Sequence, residues 1–200
     1  MSLSGRAHQA WVVPRRAAVL ARMLAERLPP GARVLDVGSG DGAIAARVME
    51  ARPDVTIEGV DVLVRAGTRI PVRSFDGHVL PFGDGSFDAA MIVDVLHHTD
   101  DPAELLAEAA RVAPRAVVLK DHTRDGLLAG PTLRLMDRAG NLRHGVRLPY
   151  NYWPEARWRR AFADLGLRVD AWTGRVPLYP PPASWLFGRS LHFVARLSRE

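Results

Sequence analysis

The sequence predicts an α/β fold in which a mostly parallel β-sheet carries helices on both faces. Three observations lead there. Short apolar runs recur along the first 120 residues with helical stretches between most of them and short connections, the alternation that builds parallel sheets. The run from Phe87 to Val95 is apolar almost without a break, as expected of a strand buried on both faces. The first run passes directly into Gly38-Ser39-Gly40-Asp41-Gly42 and then into a helical pattern, a strand, glycine turn and helix in sequence.

Taken in order, Val19, Leu20, Met23, Leu24 and Leu28 recur at helical spacing between Pro14 and Pro29, so the chain opens on an amphipathic helix. Arg15, Arg22 and Glu26 mark its charged edge, and Arg27 falls within the apolar sector, where only its stem can be buried. Arg33 to Val37 reads as the first strand, Ala43 to Glu50 as the helix after the turn, and Val55 to Asp61 as the second strand. A third strand over Ile70 to Phe75 is confined to an edge or a strand start by Pro71. Asp101, Pro102 and Glu104 supply a cap, a first-turn proline and an early acid for a helix through Arg111. Arg115 to Lys120 is a fifth strand. Beyond it lie helices over Leu127 to Ala139 and Pro154 to Leu165, strands at Leu167 to Trp172 and His192 to Leu197, and a stiff loop through Pro177-Leu178-Tyr179-Pro180-Pro181-Pro182.

Composition bounds the chemistry. Two hundred residues, 48% apolar and 24% charged, suit one globular domain spanning 1–200 that buries about 70% of its unfolded surface. The absence of cysteine excludes disulfides, zinc–thiolate centres and thiol nucleophiles. No window is long and apolar enough for a membrane span, and the first residues lack the apolar core of a secretory signal, so a cytoplasmic location is expected. Up to Lys120 the chain carries 14 basic and 15 acidic residues, and after it 13 and 7, with ten of the fourteen aromatics also in the later part. The first part therefore reads as a scaffold and 121–200 as a contacting region. Lys120 is the single lysine, an oddity ascribed to codon bias.

Gly38-Ser39-Gly40-Asp41-Gly42-Ala43 fits a dinucleotide-type turn, and Asp61 ends the next strand twenty-three residues after Gly38. A tight turn lets backbone approach a ligand, and an acid at the second strand end can accept from ribose hydroxyls. Asp36 and Asp41 crowd the turn. Carboxylates there suit a cationic nucleoside better than a pyrophosphate, which prefers amides and positive helix ends.

Val34-Leu35-Asp36-Val37-Gly38-Ser39-Gly40-Asp41-Gly42, Asp61, Phe75-Asp76-Gly77, Leu80-Pro81-Phe82, Ser86-Phe87-Asp88 and Asp94-Val95-Leu96-His97-His98 together resemble a class I S-adenosylmethionine-dependent methyltransferase of the methyltransferase type 11 subgroup, over about residues 30–120. The resemblance implies a Rossmann-like seven-stranded sheet with the last strand antiparallel, here His192 to Leu197, and S-adenosyl-L-methionine as cofactor. It implies that Asp36, Gly38 and Gly40 line the methionine end, Asp61 the ribose, Asp76 with Gly77 the adenine, and backbone around Val93 and Asp94 the closing side, with Ser39 and Val62 also among the cofactor-binding residues. It also divides the chain into an N-terminal helix (1–30), a cofactor core (31–120) and an acceptor-side elaboration (121–200). The thirteen residues between Asp61 and Phe75 depart from the family pattern, leaving little room for a helix there and an open register for the third strand.

His97 and His98 follow the fourth strand, at the end where open α/β sheets bind ligands, and either is a candidate general base. His122, Tyr150, Tyr152 and Trp153 are candidate acceptor contacts, within a wider aromatic group that adds Trp158, Tyr179, Trp185 and Phe187. No ligand spacing calls for a metal. The expected activity is methyl transfer to oxygen, nitrogen or carbon of a small molecule. The basic later part keeps RNA as an alternative acceptor, though its arginines are scattered and the fourth strand does not lead into an Asn/Asp-Pro-Pro-Tyr/Phe signature. A silent methyltransferase-like partner module is the third reading.

Overall fold

The computed structural model describes residues 13–141 and 149–199. Helix α1 is Val13–Ala25, followed by β1 Arg33–Val37, α2 Ala43–Ala51, β2 Thr56–Asp61, β3 Val72–Ser74 and β4 Ala89–Val93. A short 3₁₀ turn at Leu96–His98 leads to α3 Pro102–Val112 and β5 Val117–His122; α4 Ala129–Asn141, α5 Glu155–Asp164, β6 Leu167–Thr173, α6 Ala183–Phe187 and β7 His192–Arg199 complete the order. The strands form one sheet in the order β3-β2-β1-β4-β5-β7-β6. All pairings are parallel except those of β7, which runs antiparallel between β5 and β6. The expected seven strands and reversed last strand are thus present.

The chain winds from β1 outward to β3, then restarts on the other side of β1 with β4. This reversal opens a crevice beyond the carboxyl ends of β1 and β4, the place where such sheets take ligands. Alternation along the strands sorts the core. Leu35, Val37, Ala90, Ile92, Val117 and Leu119 face α3 and α5, whereas Val34, Ala89, Met91 and Val118 face α1 and α2. Trp158 and Phe162 of α5 are fully buried on the first face, and truncating either to alanine would cost about 3–5 kcal/mol.

Local chemistry explains the boundaries. Asp101 caps α3 by accepting from Ala103 N at 2.9 Å, with Pro102 in the first turn. Helix α1 ends at Ala25, short of the predicted Leu28; Arg27 Nη1 turns back to Met23 O at 2.6 Å and Nη2 reaches Thr173 Oγ1 at 2.7 Å. Between β2 and β3 turns replace a helix, and the open register resolves as Gly59 against Val72 and Asp61 against Ser74, on the sheet edge. Strand β5 runs past Lys120 through His122, and α6 was not anticipated.

Candidate active site

The turn after β1 is built from glycines because its backbone demands them. Gly38, Gly40 and Gly42 have φ of +72°, +60° and +73°, a region that side chains with a Cβ rarely adopt. Gly38 also lies against Val95, whose methyls would collide with an added Cβ. Gly38 N and Ser39 N donate to Val60 O at 2.8 and 3.1 Å, and Gly40 N donates to Asp61 Oδ2 at 2.8 Å. The same carboxylate accepts from Leu63 N at 2.9 Å through Oδ1. A carboxylate offers about four lone-pair sites, so Asp61 is fixed in place with acceptor capacity left over.

In front of this turn lies a cleft of about 470 Å³, within the range of small-ligand sites. Gly38, Gly40, Asp61, Asp76, Asp94 and His98 stand in its wall, as do Val62 and Gly77. Asp76 Oδ1 accepts from His78 N and Val79 N, both at 2.8 Å, and these bonds hold the carboxyl below its ordinary value. Its second oxygen is thereby oriented. Asp36 and Ser39 are set behind the turn rather than in the cleft wall. Asp36 is 4% exposed, and burial, then the charge of Asp61, push it up to about 7. Ser39 packs its hydroxyl over Gly59, without a hydrogen-bond partner.

Beyond the cleft, the last residues of β5 alternate between the two faces and organise two buried charge networks. On the α1 face, Lys120 and Arg16 both donate to Asp94, which sits at φ 59° just after β4, and His122 Nε2 lies 3.2 Å from the same carboxylate. Burial opposes the charge of Asp94, yet Lys120 and Arg16 hold it well below the usual carboxylate range. Burial, and then the charge of Lys120, press His122 down to about 4 and His192 well below its ordinary value. Those two rings are neutral.

On the opposite face, His97 Nδ1 donates to Asp121 Oδ1 at 2.7 Å, and its Nε2 lies 3.5 Å from Asp137 Oδ2. Burial works against its charge, but Asp121 and then Asp137 raise His97 to about 10. Tyr152 stacks on it with ring centroids 5.5 Å apart and donates its hydroxyl to Asp137. His97 is therefore an imidazolium held between two acids, a fixed cation and not a base. His98 differs: it lines the cleft, burial and the neighbouring His97 charge lower its pKa, and its buried Nδ1 has no hydrogen-bond partner among the described residues. The nitrogen and oxygen atoms of His97, His98 and Asp137 lie within 4.8 Å of one another, as do those of Asp94, His97 and His122. A protonated His97 offers neither set a lone pair.

Of the acceptor candidates, His122 and Tyr152 reach the His97 cluster, and the Tyr150 ring lies tilted beside that of Tyr152, with centroids 6.3 Å apart. Trp153 does not. It is 3% exposed in the core, with its ring 4.7 Å from that of Trp158 and its Nε1 donating to Asn151 Oδ1 at 3.0 Å; its large apolar area is satisfied under α5. Trp158 is likewise core, and Trp185 points outward at 75% exposure. Sequence reasoning missed Arg16, Asp137 and His192. It also set aside Lys120, although one lysine inside an apolar strand was a signal of a buried partner.

The methyltransferase-domain family matches residues 9–171. An uncharacterized methyltransferase of Mycobacterium sp. (strain JLS) is 33% identical over 181 residues, covering 80% of this chain and 70% of that protein. The 27-O-demethylrifamycin SV methyltransferase of Amycolatopsis mediterranei is 33% identical over 104 residues, 44% of this chain and 38% of its own length. The matched stretches span between 27% and 48% of three such curated relatives. Among solved structures, a geranyl diphosphate methyltransferase in complex with S-adenosylmethionine superposes with a TM-score of 0.68 at 16% identity, covering 92% of this chain and 85% of that one. That likeness is one of fold.

Proposed function

Since this chain belongs to the class I S-adenosylmethionine-dependent methyltransferases, we propose that it moves the methyl group of that cofactor to an oxygen, nitrogen or carbon of a small-molecule acceptor. The cofactor supplies an electrophilic methyl on a sulfonium. The donor set fits such a ligand: a glycine turn held at positive φ and closed to a Cβ at Gly38, an acid with spare acceptor capacity beyond it, and a cleft rich in carboxylates around a cationic guest.

Gly38 and Gly40 bring backbone against the cofactor. Asp61 with Val62 takes the ribose, and the free oxygen of Asp76, beside Gly77, accepts from the exocyclic amine of the base. Asp94 closes the methionine side, with Asp36 and Ser39 behind it. His98 removes a proton from the acceptor as the methyl arrives. His122, Tyr150 and Tyr152 shape the acceptor side, and the packed aromatic wall excludes water. Alignment of acceptor and methyl at about 3 Å accounts for much of the rate; a positioned base adds about 10²–10⁴.

The observation that carries the assignment of the base is the contrast between neighbours. His97 is charged, with Asp121 hydrogen-bonded to its Nδ1 and Asp137 beside its Nε2, while His98 lines the cleft with a neutral ring. Isothermal titration should show binding of S-adenosylmethionine and of its demethylated product. A panel of hydroxylated, phenolic and enolic acceptors, followed by release of the demethylated cofactor, should find turnover that His98→Gln lowers through kcat with cofactor affinity kept. No cofactor binding overturns the enzyme reading; full activity of His98→Gln overturns the base.

A further inference from the structure

Helices α4 and α6 carry an outer, solvent-facing side. Leu127, Leu128, Leu135, Trp185 and Leu186 are 83%, 62%, 58%, 75% and 49% exposed, a set of large apolar side chains in water from two separate segments. Scattered exposed leucines are ordinary, but a contiguous apolar patch marks an interaction surface. One residue brings the two segments side by side. Arg189 donates to Leu186 O at 3.2 Å, to Leu127 O at 3.2 Å and to Thr132 Oγ1 at 3.3 Å, tying the end of α6 to the start of α4. All three acceptors are uncharged, so the guanidinium keeps its full charge on this face.

Along α4, Leu135 shares the exposed side with Arg134 and Arg138, and lies two turns beyond Leu128. Arg124 packs its stem near Gly130 at the start of the same helix. Leu128 holds a φ of 60°, an unfavourable conformation for leucine that the tertiary structure maintains where the side chain reaches solvent. The inner sides of the same two helices hold Tyr152 and His192 at the buried charge networks. Leu133 O and Asp137 of α4 take the Tyr152 hydroxyl, and Phe187 O of α6 takes His192 Nε2 at 2.9 Å.

Leucines and a tryptophan set among arginines form the pattern of a surface that sinks into the headgroup and acyl boundary of an acidic bilayer, where apolar burial and attraction to anionic lipid act together. We propose that the face formed by Leu127, Leu128, Leu135, Trp185 and Leu186, with Arg124, Arg134, Arg138 and Arg189 around it, docks this protein peripherally on anionic membranes. The occupant follows from charge: the exposed bases that accompany these apolar side chains on α4 and beside α6 are Arg124, Arg134, Arg138 and Arg189, which match phosphatidylglycerol-type headgroups. The inference stands apart from the methyl-transfer reading, because docking is read without turnover.

The test is co-sedimentation of the full chain with vesicles of phosphatidylcholine alone and of phosphatidylcholine with phosphatidylglycerol, at low and high salt. The chain should pellet with the anionic vesicles and be released by salt. Leu127→Ser with Trp185→Ser should weaken that binding by about tenfold or more, with unchanged circular dichroism and unchanged affinity for S-adenosylmethionine. Arg134→Gln with Arg138→Gln, at exposed positions, should lower it independently. The proposal is overturned if the chain stays in the supernatant at every composition, if both pairs bind as the wild type does, or if light scattering shows a dimer that the apolar pair dissociates without any vesicle binding. That last outcome would make the patch a subunit interface.

Discussion

Asp36→Asn should make the cofactor-free protein more stable at alkaline pH while weakening cofactor binding. The side chain is 4% exposed, and burial, assisted by the charge of Asp61, raises its pKa from 3.8 to about 7. Between those values the folded chain keeps a proton that the unfolded chain has released, so this group's contribution to stability falls as pH rises and levels off above about 7. At about 1.4 kcal/mol per pH unit the whole window amounts to about 4 kcal/mol, an upper bound on what the Asn variant regains at pH 8. Urea denaturation at pH 4.5 and pH 8 measures it: the variant's advantage should be small at the lower pH and several-fold larger at the higher. A cationic ligand favours the carboxylate, so S-adenosylmethionine should expel about half a proton at pH 7 and bind up to about tenfold more weakly per pH unit below that. Titration calorimetry in buffers of different ionisation enthalpy counts the proton. A variant with no added stability at pH 8, together with zero proton release in the wild type, would refute the reasoning about this buried acid.

Gly38→Ala places a Cβ against Val95 at a φ of +72°; thermal unfolding should report a loss of about 1–3 kcal/mol, and calorimetry a cofactor affinity below detection. Histidine side-chain NMR should find His97 still protonated at pH 8 with His98 and His122 neutral. His97 titrates at about 10 in the folded chain against 6.5 ordinarily, so its stabilisation is complete below pH 6.5 and disappears as pH rises through 10. Denaturation curves of His97→Gln should consequently lose that alkaline slope. Lys120→Met leaves Asp94 in a dry site with Arg16 and His122 as its remaining partners; chemical denaturation should show a loss of about 3 kcal/mol, and a variant as stable as wild type would remove Lys120 from the network.

Most of the scaffold was legible because local chemistry fixes it. The run Arg33 to Val37 matches β1 residue for residue, Asp101 and Pro102 cap α3 as their spacing requires, and the apolar run after Phe87 is the buried core of β4. Strand β5 was read short because a pattern of apolarity stops at the first polar residue. Asp121 and His122 remain in the strand because His97 meets the first and Asp94 the second across the fold. The charge networks around Asp94 and His97 were less legible for the same reason. Arg16 meets Asp94 from 78 positions away, and His97 meets Asp121 from 24, distances at which no periodicity speaks. His97 and His98 look alike as a pair in sequence; only the partners brought by β5 and α4 separate a locked cation from a neutral ring.

The placement of β7 has a consequence for the order in which the molecule is made. Strand β6 has no neighbour in the sheet until β7, synthesised after it, slips between it and β5. On the ribosome, β1 to β5 and their helices can pack as soon as they emerge, whereas α5 and β6 wait with their apolar faces exposed for a strand still being translated. His192, which sets the ring beside Lys120, arrives with that strand. The sheet through β5 thus matures early and β6 and β7 late, and the interval between them is when a nascent chain would most need a chaperone.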